Sequence, residues 1–173
     1  PTKSSSVNHK IMSPDTKIGG IEVLSKKPKI EITNGSFYLS LAQEDVSNDA
    51  VLTKMTEWFG ISSDHEFKKV SETIDALGFT HANFQQFYNG FLVDGYLVML
   101  HSKEDKPMYL NGRVAQFEDV KTNLTITGEE AKSIALKYLN VTEVINEYSI
   151  ETVVVNIPNL DGEQIKLTYK IRV

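Results

Sequence analysis

Polar and apolar positions first fall into a clear pattern in three short β-prone runs, Ile21-Glu22-Val23-Leu24, Lys29-Ile30-Glu31-Ile32 and Phe37-Tyr38-Leu39-Ser40-Leu41. Asn34-Gly35 lies between the last two and marks a tight turn, so a first hairpin is expected there. The period then lengthens: Val51, Leu52, Met55, Trp58 and Phe59 recur at helical spacing after the capping residues Ser47-Asn48-Asp49, and Gly60 ends the helix. The single Trp sits on this apolar face and is expected to anchor a core. Imperfect alternation resumes over Phe67–Ile74, and Phe79–Tyr88, Phe91–His101 and Met108–Phe117 follow as further strands. These runs are separated by an Asp75–Gly78 turn, by Asn89-Gly90, which favours a two-residue hairpin, and by a charged Lys103–Pro107 loop. Four strands joined by short connections predict an antiparallel meander with one buried face, for which the helix at 47–59 is the natural cover.

The pattern restarts after Lys121. Thr127-x-x-Glu130 forms a capping box, Ala131, Ile134, Ala135, Tyr138 and Leu139 form an apolar stripe, and Asn140 is placed to stop a second helix. Tyr148–Ile157 and Gln164–Val173 read as a hairpin around Pro158–Gly162. The fold class expected is therefore α+β: a meander wrapped on one helix, then a small helix plus β-hairpin unit. The expected divisions are a flexible leader at 1–17, a first domain at 18–120 and a second at 121–173, the second too small to be stable without docking on the first.

Composition narrows the functional classes. The chain has 173 residues, 40% of them hydrophobic, which suffices for a core. It has no Cys, so disulfides and thiol chemistry are excluded, although compartment is not decided by that. Residues 1–29 hold six Lys against Asp15 and Glu22, a local +4, and the net charge of −5 therefore puts −9 on the remainder. An acidic body is a poor nucleic-acid surface, which needs basic residues to displace counterions. No apolar run is long enough for a membrane span, and the segment Pro1–Lys10 lacks a signal-peptide core, so an exported protein would begin here after its signal.

Candidate chemistry is sparse. His65-Glu66-Phe67-Lys68-Lys69 begins like a zinc-binding HExxH helix but ends in Lys, and the run around it is strand-like, so a metal site is not expected. His9, His65, His81 and His101 are dispersed; His81 and His101 fall on different strands and could be neighbours, but no acid is spaced to complete a site. A structural role, such as a hydrogen bond across the sheet, is the expectation for His81. Nucleophile-elbow, phosphate-loop and dinucleotide motifs are absent from the sequence.

The stretch Leu77-Gly78-x-Thr80-His81, Gln85-Gln86-x-Tyr88-Asn89-Gly90-x-x-Val93-x-Gly95 and Asn111-Gly112-Arg113-Val114 resembles the signature of the fungalysin/thermolysin propeptide (FTP) domain, found ahead of secreted zinc metalloproteases. Leu124-Thr125-Ile126-Thr127-x-Glu129-Glu130-Ala131 together with Leu167–Val173 looks like a PepSY domain, which usually follows it. The resemblance implies a non-catalytic, exported pro-region that acts as intramolecular chaperone and non-covalent inhibitor. Its partner would be a metalloprotease catalytic domain in cis or in trans, and zinc would belong to that domain, with no cofactor in this chain. A free-standing FTP–PepSY binding module or inhibitor in trans is the alternative. The signature residues Gly78, Thr80, His81, Gln85, Gln86, Tyr88, Asn89, Gly90, Val93, Gly95, Asn111 and Gly112 are implied to serve the fold or the protease contact. Gln85 and Gln86 point to opposite faces of a strand, so one is expected to bond within the fold and the other to face a partner. Turn chemistry accounts for Asn89-Gly90 and Asn111-Gly112.

Overall fold

The computed structural model describes residues 28, 30–33, 36–141, 148–159 and 162–172. The expected leader, the Ile21–Leu24 run, the Asn34-Gly35 turn, His9 and residues 160–161 of the last turn lie outside these. The described residues form eight strands and two helices: β1 Ile30–Thr33, β2 Ser36–Ser40, α1 Val51–Phe59, β3 His65–Ile74, β4 Phe79–Tyr88, β5 Phe91–Lys103, β6 Lys106–Gly112, α2 Gly128–Leu139, β7 Ser149–Asn159 and β8 Gly162–Arg172.

The strands make one sheet in the order β1-β2-β6-β5-β4-β3, antiparallel throughout this path. The first hairpin is thus an extension of the meander on its β6 side. The other hairpin, β7–β8, joins through a short parallel contact, Leu92 opposite Val153 and Val93 opposite Val154. Since β4 occupies one edge of β5, β6 and β7 share the other: β6 pairs with Val98–Lys103, and β7 takes over where β6 has left. Alternation dictates strands but says nothing of this division of an edge.

Val51, Met55, Trp58 and Phe59 of α1 pack with Phe37, Leu39, Ala82, Val98, Leu100 and Leu110, one face of the sheet. Gly60 ends α1 with a left-handed φ of 65°, its N–H turned back onto Glu57 and Thr56 carbonyls, as expected. The N-terminus differs. The N-cap is Ala50, whose side chain cannot cap; Ser47 Oγ accepts from the Ala50 N–H, and Asn48 Oδ1 accepts from Ser102 Oγ at 2.7 Å, so these side chains serve the preceding turn and β5. A second core gathers Tyr88, Val93, Tyr96, Ala115, Phe117, Val120 and Val154, where β7 meets β5.

Two connections also differ from the sequence reading. Glu104 and Asp105, at φ 52° and 58°, make a two-residue turn with paired Lys103 and Lys106 on either side, not a five-residue loop. Left-handed conformation at both central positions matches the twist of the flanking strands. And β6 stops at Gly112 instead of running to Phe117, because residues beyond it are held by side chains. In α2 the capping box at Thr127 and Glu130 and the left-handed Asn140 are as expected, but none of its residues is buried, and Ile134, Tyr138 and Leu139 stay exposed.

Gly112 is fixed by two constraints at once. Its φ is 144°, and a Cβ there would overlap the Leu97 carbonyl oxygen. Replacing it with Ala should therefore cost about 3 kcal/mol from backbone strain and overpacking together, seen as a lower urea midpoint with an unchanged slope.

Candidate functional site

The signature glutamines sit where the β4–β5 ladder breaks. Gln85 faces Leu97 and Phe87 faces Leu92, so residues 93–96 of β5 bulge out opposite Gln86 alone. Gly95 supplies φ 82° within this bulge. Gln85 Nε2 donates to the carbonyls of Val93 at 2.8 Å and Tyr96 at 2.7 Å, taking the place of missing ladder partners. Lys170 of β8 pairs with Asp94 at 2.6 Å, so the bulge is also tied to the second hairpin.

Gln86 points the other way and is fully buried. Its Oε1 accepts from the Ala115 N–H at 2.9 Å and its Nε2 donates to the Ala115 carbonyl at 2.7 Å, a pairing like that of one backbone peptide with another. The second Nε2 hydrogen goes to His65 Nδ1 at 2.9 Å, and His65 Nε2 donates to the Phe117 carbonyl at 3.0 Å. The amide orientation is fixed by Ala115, which presents both a donor and an acceptor. His65 Nδ1 must consequently be a lone pair, and the ring is held neutral in its Nε2–H tautomer. Burial lowers the His65 pKa in the same sense, outweighing the Phe117 carbonyl, which raises it. Tyr88 closes the site, with its ring 4.9 Å from those of His65 and Phe117. The strand sends the two glutamines to opposite faces, as expected, and on each face an amide satisfies broken backbone pairing: the Nε2 of half-buried Gln85 and both polar atoms of buried Gln86.

The second polar network lies on the sheet face opposite α1. Ala82, Leu100 and Leu110 face the core, so their neighbours His81, His101, Tyr109 and Asn111 face away. His81 and His101 are cross-strand partners with Nδ1 atoms 2.6 Å apart. His101 Nε2 donates to Asn111 Oδ1 at 2.8 Å, and His81 Nε2 meets Asp75 Oδ2 at 3.1 Å. Asp75 is the acid that sequence spacing did not reveal. It lies in the β3–β4 turn, where its other oxygen accepts from the Leu77 and Phe79 N–H groups, and those bonds, the Phe79 one foremost and then His81, hold its pKa down. Aromatic rings extend the row: Tyr109 stacks on His101 at 4.0 Å, and Tyr38 of β2 stacks on Tyr109 at 5.5 Å.

This arrangement does not fit a metal. Two nitrogens bound to one zinc ion stand about 3.3 Å apart with the ion between them, whereas the two Nδ1 atoms are in direct contact. Among the described residues no group of three His, Asp or Glu could hold an ion.

The remaining signature residues are structural in position. Gly78 at φ 78° completes the Asp75 turn, and Thr80 pairs with Ile74 and Ser102. Asn89 and Gly90, at φ 46° and 83°, form the β4–β5 turn, and the Asn89 N–H is bonded to Asp64 at 2.8 Å. Val93 is buried in the second core, while Asn111 is the acceptor that fixes the His101 tautomer. Tyr38, Asp75 and Tyr109 belong to the outward network without a signal of their own, and His65, noted in the sequence for its HExxH-like start, belongs to the latch; period-two placement could have suggested that Tyr38 and Tyr109 each face away from the core.

Two outcomes are expected. Gln86→Ala would strand the Ala115 N–H, the Ala115 carbonyl and His65 Nδ1, costing about 3 kcal/mol in denaturant unfolding. Because the folded pKa of His65 lies below its unfolded value of about 6.5, the unfolded state binds more protons between the two, and stability falls as pH drops below that value. A His65→Gln variant, less stable at neutral pH, should show a shallower loss between pH 7.5 and 5.

Residues 65–114, from His65 at the head of β3 to Val114 just beyond β6, match the Fungalysin/Thermolysin Propeptide Motif, and this stretch holds Gln85, Gln86, His65, Asp75, His81, His101, Tyr109 and Asn111 of the two networks, while Tyr38, Ala115, Phe117 and Lys170 join them from outside it.

Proposed function

We propose that this chain is the pro-region of a thermolysin- or fungalysin-like secreted zinc metalloprotease, binding the catalytic domain as an intramolecular chaperone and non-covalent inhibitor. The observation that carries the reading is that the FTP motif coincides with β3–β6, the strands that build the outward face. That face carries stacked aromatic rings and the half-buried His81, with Tyr38 42% exposed. It offers ring surface and hydrogen-bonding groups for a folded partner.

Magnitude supports a second contact. A patch five strands wide at about 4.8 Å per strand and about 17 Å long covers roughly 400 Å². A standard interface takes about 800 Å² from each partner. The exposed stripe of α2, Ile134, Tyr138 and Leu139, is the further apolar surface suited to make up the difference. A chaperone role follows physically if this combined surface binds the near-native protease more tightly than its unfolded chain. Zinc in this reading belongs to the catalytic domain.

The test is to refold a thermolysin-like catalytic domain with and without this chain supplied in trans, and to titrate the chain against the active enzyme. Higher refolding yield and inhibition are expected, both weakened at least tenfold by Tyr38→Glu with Tyr109→Lys in a variant that keeps its melting temperature. Equal yield and full protease activity at a large excess of chain, across several such proteases, would overturn the proposal.

A further inference from the structure

We propose that the His81–His101 pair is a proton-gated clamp on the outward face of the sheet, closed when the two rings share one extra proton and opened by a second. Counting hydrogens on the four contacts leads there. His101 spends its Nε2 hydrogen on Asn111 Oδ1, so its Nδ1 facing His81 is a lone pair when the ring is neutral. His81 must then donate from Nδ1 to His101 and from Nε2 to the Asp75 carboxylate, which only an imidazolium can do. The closed row is Asp75 anion, His81 cation, neutral His101, Asn111. A second proton on His101 would place two N–H groups and two positive charges head to head across 2.6 Å, a contact that survives only if the rings part.

The surroundings do not relieve that conflict. The groups facing the pair are Asp75 from the β3–β4 turn, Thr73 opposite His81 on β3, Tyr109 and Asn111 from β6, and Lys103 at the end of β5, over the Phe79 ring at 4.9 Å. Of these Asp75 alone is an anion, and it is already bonded to His81. Burial, and after it the charge on His81, push the His101 pKa below its ordinary value, opposed by the Asn111 bond. Opening is thus an acid event. It separates β4 from β5 on the face where Tyr109 and Tyr38 stack in series, so the shape of that face changes with it.

The experiment uses the whole chain labelled with 15N-histidine. Ring protonation and backbone amide protection are followed by NMR from pH 8 to 4.5. In the closed state His81 should carry hydrogen on both nitrogens and His101 on Nε2 alone. As pH falls below about 6.5, protection factors of β4 and β5 amides around the pair should drop about tenfold per pH unit, with His101 gaining its proton in the same step. His101→Gln should abolish this local step while leaving the acid sensitivity that comes from His65. Asp75→Asn removes the one anion beside the pair, so the second proton binds less readily and the opening should move to lower pH. A His101 that titrates at its ordinary value with amide protection unchanged would overturn the proposal, as would a neutral His81 beside a His101 that still accepts its hydrogen bond. The clamp is a property of the isolated chain: should it titrate as described while no metalloprotease binds at any pH, the pro-region reading fails and the clamp stands.

Discussion

The constraint on which the rest of the structure depends is the accounting of backbone hydrogen bonds where β5 changes partners. β4 runs alongside β5, but residues 93–96 bulge away from it, and β6 leaves the other edge at Gly112 before β7 arrives at Leu92 and Val93. Buried peptide groups left unpaired at such a break cost about as much as a whole interaction each. The chain solves this with two adjacent carboxamides of opposite direction, Gln85 on the bulge and Gln86 on the segment after β6. A carboxamide is the one uncharged side chain that reproduces a peptide group's donor and acceptor in one plane.

That repair has consequences at longer range. By holding Ala115 and, through His65, Phe117, Gln86 keeps the chain beyond β6 under the sheet, where Phe117 and Val120 join the second core. The same core includes Val154 of β7, so the hairpin β7–β8 is seated by residues whose own position depends on the glutamine latch. Gly112 has the matching role on the other side, since only a residue without Cβ can turn at that point against the Leu97 carbonyl.

The two faces of the sheet have different characters for the same geometric reason. Residues of one parity along β2, β6, β5 and β4 meet α1 and are apolar; those of the other parity bring together Tyr38, Tyr109, His101 and His81. The histidine at the latch and the histidines of the face are both held in defined protonation patterns by what surrounds them. At the latch the pattern is imposed by a locked amide, and on the face by Asn111 and Asp75 at the two ends of the row.

The sequence by itself determined the local elements. The β-prone runs Phe79–Tyr88 and Phe91–His101, the Asn89-Gly90 turn, the helical spacing of Val51 to Phe59 with Gly60 after it, and the Thr127/Glu130 capping box each act within a few residues, so their signals are complete in the chain. It also carried the motif matched over residues 65–114. What only the tertiary structure decided were contacts between residues far apart in sequence: Gln86 with Ala115, Asp75 and His81 with His101 and Asn111, Val93 beside Val154. Spacing could not reveal them, because register across strands is set by bulges and turns as much as by pattern. For that reason Gln85 Nε2 was found on backbone carbonyls, and Ile134, Tyr138 and Leu139 of the α2 stripe, which periodicity marks for a core, remained exposed. Periodicity specifies which side of an element is apolar; the presence of something to cover it is a property of the assembled fold.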